Sequence, residues 1–143
     1  MSGIQRLFEG MRTSSSGMSA ERVRIDVIAK NLANAEVTKT PEGVPYRREV
    51  VRFAPIMRKA QSGYVSTGGV RVLSIDKDMT TPFERIRIPG HPDADEGGWV
   101  TMPNINTTLE MADLMTAVRA YEANANAADS FVRMAERALR LAQ

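Results

Sequence analysis

The last third of the chain, Thr107 to Ala142, limits what the rest can fold into. A heptad with Met111, Val118, Ala125, Val132 and Leu139 at its a positions puts Leu114, Tyr121, Ala128, Ala135 and Ala142 at d. All ten are apolar or amphipathic, and neither Gly nor Pro interrupts the segment. A narrow stripe sustained in this way predicts a helix that packs lengthwise on other helices. Thr107 and Glu110 predict a capping box, and Glu110 with Asp113 sets negative charge at the positive end of the dipole. Arg137 and Arg140 stand near the other end, and Asp129–Arg133 and Glu136–Arg140 are acid-before-base pairs four apart. About 36 residues of helix run roughly 54 Å, too long for a compact domain of this size. An ordinary bundle helix is the alternative reading of the same segment. Ala125, Ala128 and Ala135 are small enough to let a partner helix approach closely.

A second heptad runs from Ile4 to about Asn34. Ile4, Met11, Met18, Ile25 and Leu32 occupy a, and Leu7, Ser14, Glu21, Ile28 and Ala35 occupy d. The a row is fully apolar, whereas Ser14 and Glu21 break the d row. Gly10, Gly17 and the run Ser14–Ser16 lower helix propensity. They predict an end that forms only against a partner, or a bend near Ser14–Gly17. A helix N-terminus or a flexible tail is the other reading of the Ser run. Asp26–Lys30 supports the second half.

Pro41, Gly43 and Pro45 end this helix in a turn-rich exit from Thr38 to Pro45. Short strands are predicted at Tyr46–Met57, Gly68–Ile75 and Pro82–Ile88, with one more at Trp99 and Val100. Val70 and Val72 alternate with Arg71 and Leu73, and Ile86 and Ile88 alternate with Arg85 and Arg87. Ser62-Gly63, Gly68-Gly69 and Pro89-Gly90 are the turn signals between them. The expected organisation is therefore an N-terminal helix over 1–40, a β-rich insert over 41–103 and a C-terminal helix over 104–143. The insert has few apolar residues, so it leans on its neighbours.

Chemistry-bearing residues are scarce. The chain has no Cys, which removes disulfides, thiolate chemistry and zinc–thiolate sites. His91 is the single histidine and sits in a turn between Gly90 and Pro92. No nucleophile–base pairing and no phosphate-binding glycine spacing is visible, so an enzyme and a cofactor are not expected. Asp93 to Gly98 opens like a calcium loop, but Gly97 and Asn104 stand where two further ligands are required, which favours a solvated turn. A net charge of +2 does not suggest nucleic acid. No apolar run approaches membrane-spanning length, so membrane insertion is not expected either. The first residues lack the apolar core of a secretory signal peptide, which predicts that work outside the cytoplasm needs a different export route.

Four blocks in order carry a family resemblance. Ser16-Gly17-Met18-Ser19-Ala20-Glu21-Arg22 leads into Asn31-Leu32-Ala33-Asn34-Ala35. Thr40 to Arg48 follows, then Pro89 to Asp95 with Val100 to Asn106, then Glu110-Met111 with Arg119 to Asn124. The chain resembles, over nearly its whole length, the bacterial flagellar rod, hook and related axial proteins, and within them a proximal rod protein. Ser14–Ser16 and Trp99 depart from residues usual in that family, and 54–88 matches least. Asn31, Leu32, Ala33, Asn34, Tyr121 and Asn124 carry the family signature.

The resemblance implies a mainly α fold with a small β insert, its long terminal helices paired as an antiparallel coiled coil. It implies a structural subunit of the basal-body rod, polymerising by helix packing into drive shaft and export channel. Its partners would be its own copies, other rod proteins, the adaptor at the rod base and the flagellar type III export apparatus, in the periplasm. The residues expected to pack between helices are Ile4, Met11, Met18, Ile25, Ile28, Leu32, Met111, Leu114, Val118, Tyr121, Ala125, Ala128, Val132 and Leu139. The apolar stripes broaden at Leu7/Phe8, Leu114/Met115 and Phe131/Val132, more than one pair of helices can cover, which marks an assembly surface. Asn31, Asn34, Asn124 and Asn126 are expected to bond between helices, to face the channel, or to be ordinary surface polars. A coiled-coil adaptor or type III secreted interaction protein that does not polymerise is the alternative.

Overall fold

The computed structural model describes the backbone of residues 3–60 and 63–141, and the side chains of 8–57 and 68–140. Six elements follow in order: α1 Gly3–Ala33, β1 Glu49–Ala60, β2 Gly63–Lys77, β3 Glu84–Arg87, β4 Trp99–Met102 and α2 Thr107–Leu141. Nearly half the chain is helical, and the strands form two antiparallel two-stranded sheets.

α1 is continuous through Ser14–Gly17, where weak propensity predicted a bend or a loose end. Packing explains the difference, because the glycines sit where α2 comes closest. A Cβ on Gly10 would lie 2.5 Å from the Phe131 ring, and one on Gly17 would lie 2.8 Å from the Asn124 side chain. Further along, Asn31 hydrogen-bonds Glu110. As α1 advances from Gly10 to Gly17 to Asn31, its neighbour on α2 retreats in equal steps from Phe131 to Asn124 to Glu110. The two helices are thus antiparallel, and tertiary contact overrides local propensity.

α2 begins as the heptad predicts, but its cap differs. Asn106 Oδ1 accepts from Leu109 N at 3.1 Å, so Asn106 caps the helix in place of Thr107. Glu110 is turned inward to stronger partners and plays no part in a capping box.

β1 and β2 pair from Glu49↔Lys77 to Ala60↔Gly63, with register shifts at Arg52/Phe53 and Pro55/Met57. Gly68-Gly69, read from sequence as a turn, falls inside β2 at the second irregularity, with Gly68 at φ 77°. It is a bulge, not a turn. The bulge rests on α1: Val70 N donates to Ser16 Oγ at 3.1 Å, and a Cβ on Gly68 would meet Thr13 Oγ1 at 3.2 Å. β3 and β4 pair with each other, Glu84↔Met102 to Arg87↔Trp99. No layer covers β3, so its expected alternation of burial is absent and all four residues are exposed.

Among the described residues the buried apolar side chains are few: Ala20, Val27, Ile28, Val100, Pro103 and Ala117. Among the described elements α2 packs on α1 alone, and the hairpin packs on α1.

Candidate assembly interface

A polar hub ties the insert to both helices at one end of the pair. Asn31, near the end of α1, is 1% exposed. Its Nδ2 donates to Glu49 O at 2.9 Å and to Glu110 Oε2 at 3.0 Å. Its Oδ1 accepts from Glu49 N at 2.9 Å and from Tyr46 OH at 3.2 Å. All four bonding positions of this amide are filled. Glu110 is also 1% exposed, and Arg48 Nε donates to its Oε1 at 2.5 Å. Arg48 N donates to Asn104 Oδ1 at 2.9 Å, and Asn104 Nδ2 donates to Asp78 O and Thr81 O. Lys30 pairs with Glu49 at 2.7 Å on the rim. Burial pushes the Tyr46 hydroxyl up to about 12, with the charges of Glu49 and Glu110 adding to it. Asn31 lay in a signature block; the roles of Tyr46, Arg48 and Asn104 were not assigned from sequence. Their signal is position alone: three polar residues in the blocks at the two borders of the insert, Thr40 to Arg48 and Val100 to Asn106.

The loop from Asp93 to Gly98 uses its carboxylates for structure. Asp95 Oδ1 accepts from Gly97 N and Trp99 N at 2.9 Å, and its other oxygen pairs with Arg85. The Trp99 amide foremost holds the Asp95 carboxyl below its usual range. Asp93 Oδ2 accepts from Thr38 Oγ1, and His91 Nδ1 accepts from Asp93 N. No group of three or more metal-ligating side chains occurs among the described residues.

Within the chain, three contacts mark the line between the helices: Gly10 against Phe131, Gly17 against Asn124 and Asn31 against Glu110, with Ala117 buried midway between Glu110 and Asn124. The sequence heptads place their a rows one residue later on both helices. One residue turns an α-helix by about 100°. Because the helices are antiparallel, the rows Met11–Met18–Ile25–Leu32 and Met111–Val118–Ala125–Val132–Leu139 turn to the same side of the pair. The hairpin sits on the opposite side of α1, at Thr13 and Ser16. The side it leaves open is apolar. Met111 is 57% exposed, Val132 43% and Leu139 67%, and Met115, Val118 and Tyr121 are exposed beside them. On α1, Met11, Met18, Ile25 and Leu32 are half-buried.

Of the remaining expected packing residues, Ile28 is buried and Leu114, Ala125 and Ala128 are half-buried. The side chain of Ile4 lies outside the described residues. Of the signature residues, Asn34 Nδ2 donates to Lys30 O and Asn124 Nδ2 to Ala120 O, each within its own helix. Ala33 and Asn126 are exposed.

Two family models match this chain. The first, described as flagella basal body rod protein, covers residues 11–39. The second, described as flagellar basal body rod FlgEFG protein C-terminal, covers 96–141. Relatives named flagellar basal-body rod protein FlgC match almost end to end. The one from Borreliella burgdorferi is 40% identical over 96% of this chain and 98% of its own. The one from Bacillus subtilis is 36% identical over 94% and 97%. The chain belongs to the FlgC family of flagellar basal-body rod proteins. The Salmonella typhimurium FlgC, at 36% identity over 91% of this chain and 93% of its own, shows the same extent of similarity. A FlgC-family chain is a structural rod component and not an enzyme. The two family models fall on the two helices, so the geometry that needs explaining in a FlgC protein is the open apolar side of the helix pair.

Proposed function

We propose that α1 and α2 form an antiparallel coiled coil that builds the rod by packing its open apolar side against copies of itself and other rod proteins. The rows Met11–Leu32 and Met111–Leu139 are the assembly surface. The 41–103 insert faces outward, held in place by the Asn31–Glu110–Arg48 hub. The subunit reaches the periplasm through the flagellar type III export apparatus, and the adaptor at the rod base is a further neighbour. Among the described residues no helix is long and apolar enough to cross a membrane.

The observation that carries this reading is the uncovered row on α2. An exposed apolar stripe of this length on a single chain marks a contact surface. The test is a pair of adjacent substitutions. Val132→Asp puts a carboxylate into the proposed contact without a partner. Desolvating it costs about 3 kcal/mol or more. Arg133→Asp loses the exposed pair with Asp129 and sets a like charge four residues from it, about 0.5 kcal/mol for each effect. Val132→Asp is expected to be made and exported but to stay out of the rod, leaving cells non-motile. Arg133→Asp is expected to incorporate and swim. Equal incorporation of both would place the contact elsewhere.

A further inference from the structure

Between the hairpin bulge and the helix pair lies a groove of about 400 Å³, lined among others by Gly17, Glu21, Phe53, Gly69, Val70 and Asn124. Glu21 Oε2 is buried and makes no hydrogen bond among the described residues. The nearest cation is Arg24, whose Nη1 stands 3.8 Å away, beyond hydrogen-bond reach. The other guanidinium nitrogen of Arg24 is shared with Asp113, also at 3.8 Å. A buried carboxylate oxygen without a donor is costly, and a site that keeps one is incomplete.

The rest of the groove shows what would complete it. Asn124 commits its Nδ2 to Ala120 O, while its Oδ1 lies over Gly17, a second acceptor. Phe53 is 36% exposed and offers an aromatic face. A carboxylate, an amide oxygen and a ring are the set that receives a guanidinium: two acceptors for its planar fork and a face to stack on.

The geometry points to a socket for an arginine side chain of a second copy of this chain. The chain carries its own complement. Arg119, Arg137 and Arg140 are exposed on α2 and make no ion pair among the described residues, whereas Arg133 is held by Asp129. The socket is bounded by the hairpin on one side and adjoins the Met18–Ile25 row through Glu21. It adds a second, polar contact between copies and rests on the reading that copies pack together in the rod.

The test measures rod incorporation of Glu21→Gln beside Val132→Asp, with amide hydrogen exchange over residues 14–28 of the full-length free chain. Exchange is expected to be as slow as in the wild type, since the variant keeps the shape of the side chain and gives up only the loose 3.8 Å pairing with Arg24. Incorporation is expected to fall by about tenfold, the loss of one charge-assisted hydrogen bond. Glu21→Arg is expected to block incorporation, and adding Glu at Arg119, Arg137 or Arg140 in the same chain is expected to restore it at one position. Faster exchange that accompanies the loss would make Glu21 a fold residue and overturn the socket. So would normal incorporation of Glu21→Gln while Val132→Asp is excluded. If none of the three swaps restores incorporation, no free arginine of α2 in a second copy fills the socket and the assignment fails. Normal incorporation of Val132→Asp would instead count against the apolar surface.

Discussion

Asn31 does the work of a short strand. Its amide accepts from Glu49 N and donates to Glu49 O, as a neighbouring strand would, and the same Nδ2 reaches Glu110 on α2. One side chain thus starts β1 and fastens it to both helices. The sequence marked Asn31 as part of a signature but could not show this use, because an Asn near a helix end is equally a cap. Tyr46 reports on the same hub. Its hydroxyl donates to Asn31 and titrates near 12 instead of 10.0, mainly because it is buried. The folded state therefore holds this proton more tightly than the unfolded state does. Its effect on stability is flat below pH 10, and stability falls as pH rises from 10 to 12, where the unfolded chain ionises first. Tyr46→Phe is expected to lose about 1 kcal/mol at neutral pH. It is also expected to flatten that alkaline fall, measured as the thermal midpoint against pH. An unchanged alkaline slope would show that other groups set it.

The helices and strands were legible where one pattern dominated. α2 follows from a heptad without Gly or Pro, and β3 falls within the alternating stretch Pro82–Ile88, whereas β1 starts three residues after Tyr46 and runs three past Met57. The phase of the helix contact was not legible. The largest side chains form the clearest row, but within the chain the helices meet through Gly10, Gly17, Ala117 and Asn124. Small residues leave no hydropathy signal, and their meaning appears only when the partner is known. The same limit applies to Gly68-Gly69, where a bulge against α1 reads as a turn. Gly17 offers a sharp test. In an isolated helix Gly→Ala gains up to about 1 kcal/mol. Here the new Cβ would lie 2.8 to 3.0 Å from three atoms of the Asn124 amide, which is anchored to Ala120 O. Gly17→Ala is therefore expected to destabilise the wild-type chain and to stabilise the Asn124→Ala chain. Denaturant titration of the four proteins of this cycle measures the difference. Stabilisation in both backgrounds would mean that the helices do not meet closely at this point.

The whole molecule is a pair of long helices with a hairpin on one side and an apolar surface on the other. Its small buried core is matched by a buried polar hub and by contacts that a single chain does not complete. Such a design fits a subunit whose final packing comes from its neighbours, and the FlgC family places those neighbours in a rod. The absence of Cys makes the central claim directly measurable, since a single introduced thiol is the sole reactive site. Val118→Cys lies in the exposed row of α2, and Glu96→Cys lies in the exposed loop before β4. The measurement is maleimide labelling of each variant as the free chain and in purified basal bodies. Both are predicted to label in the free chain. In the rod, Glu96→Cys is predicted to label still and Val118→Cys to be protected. Equal labelling of Val118→Cys in the free chain and in the rod would contradict the assignment of this row as the assembly surface.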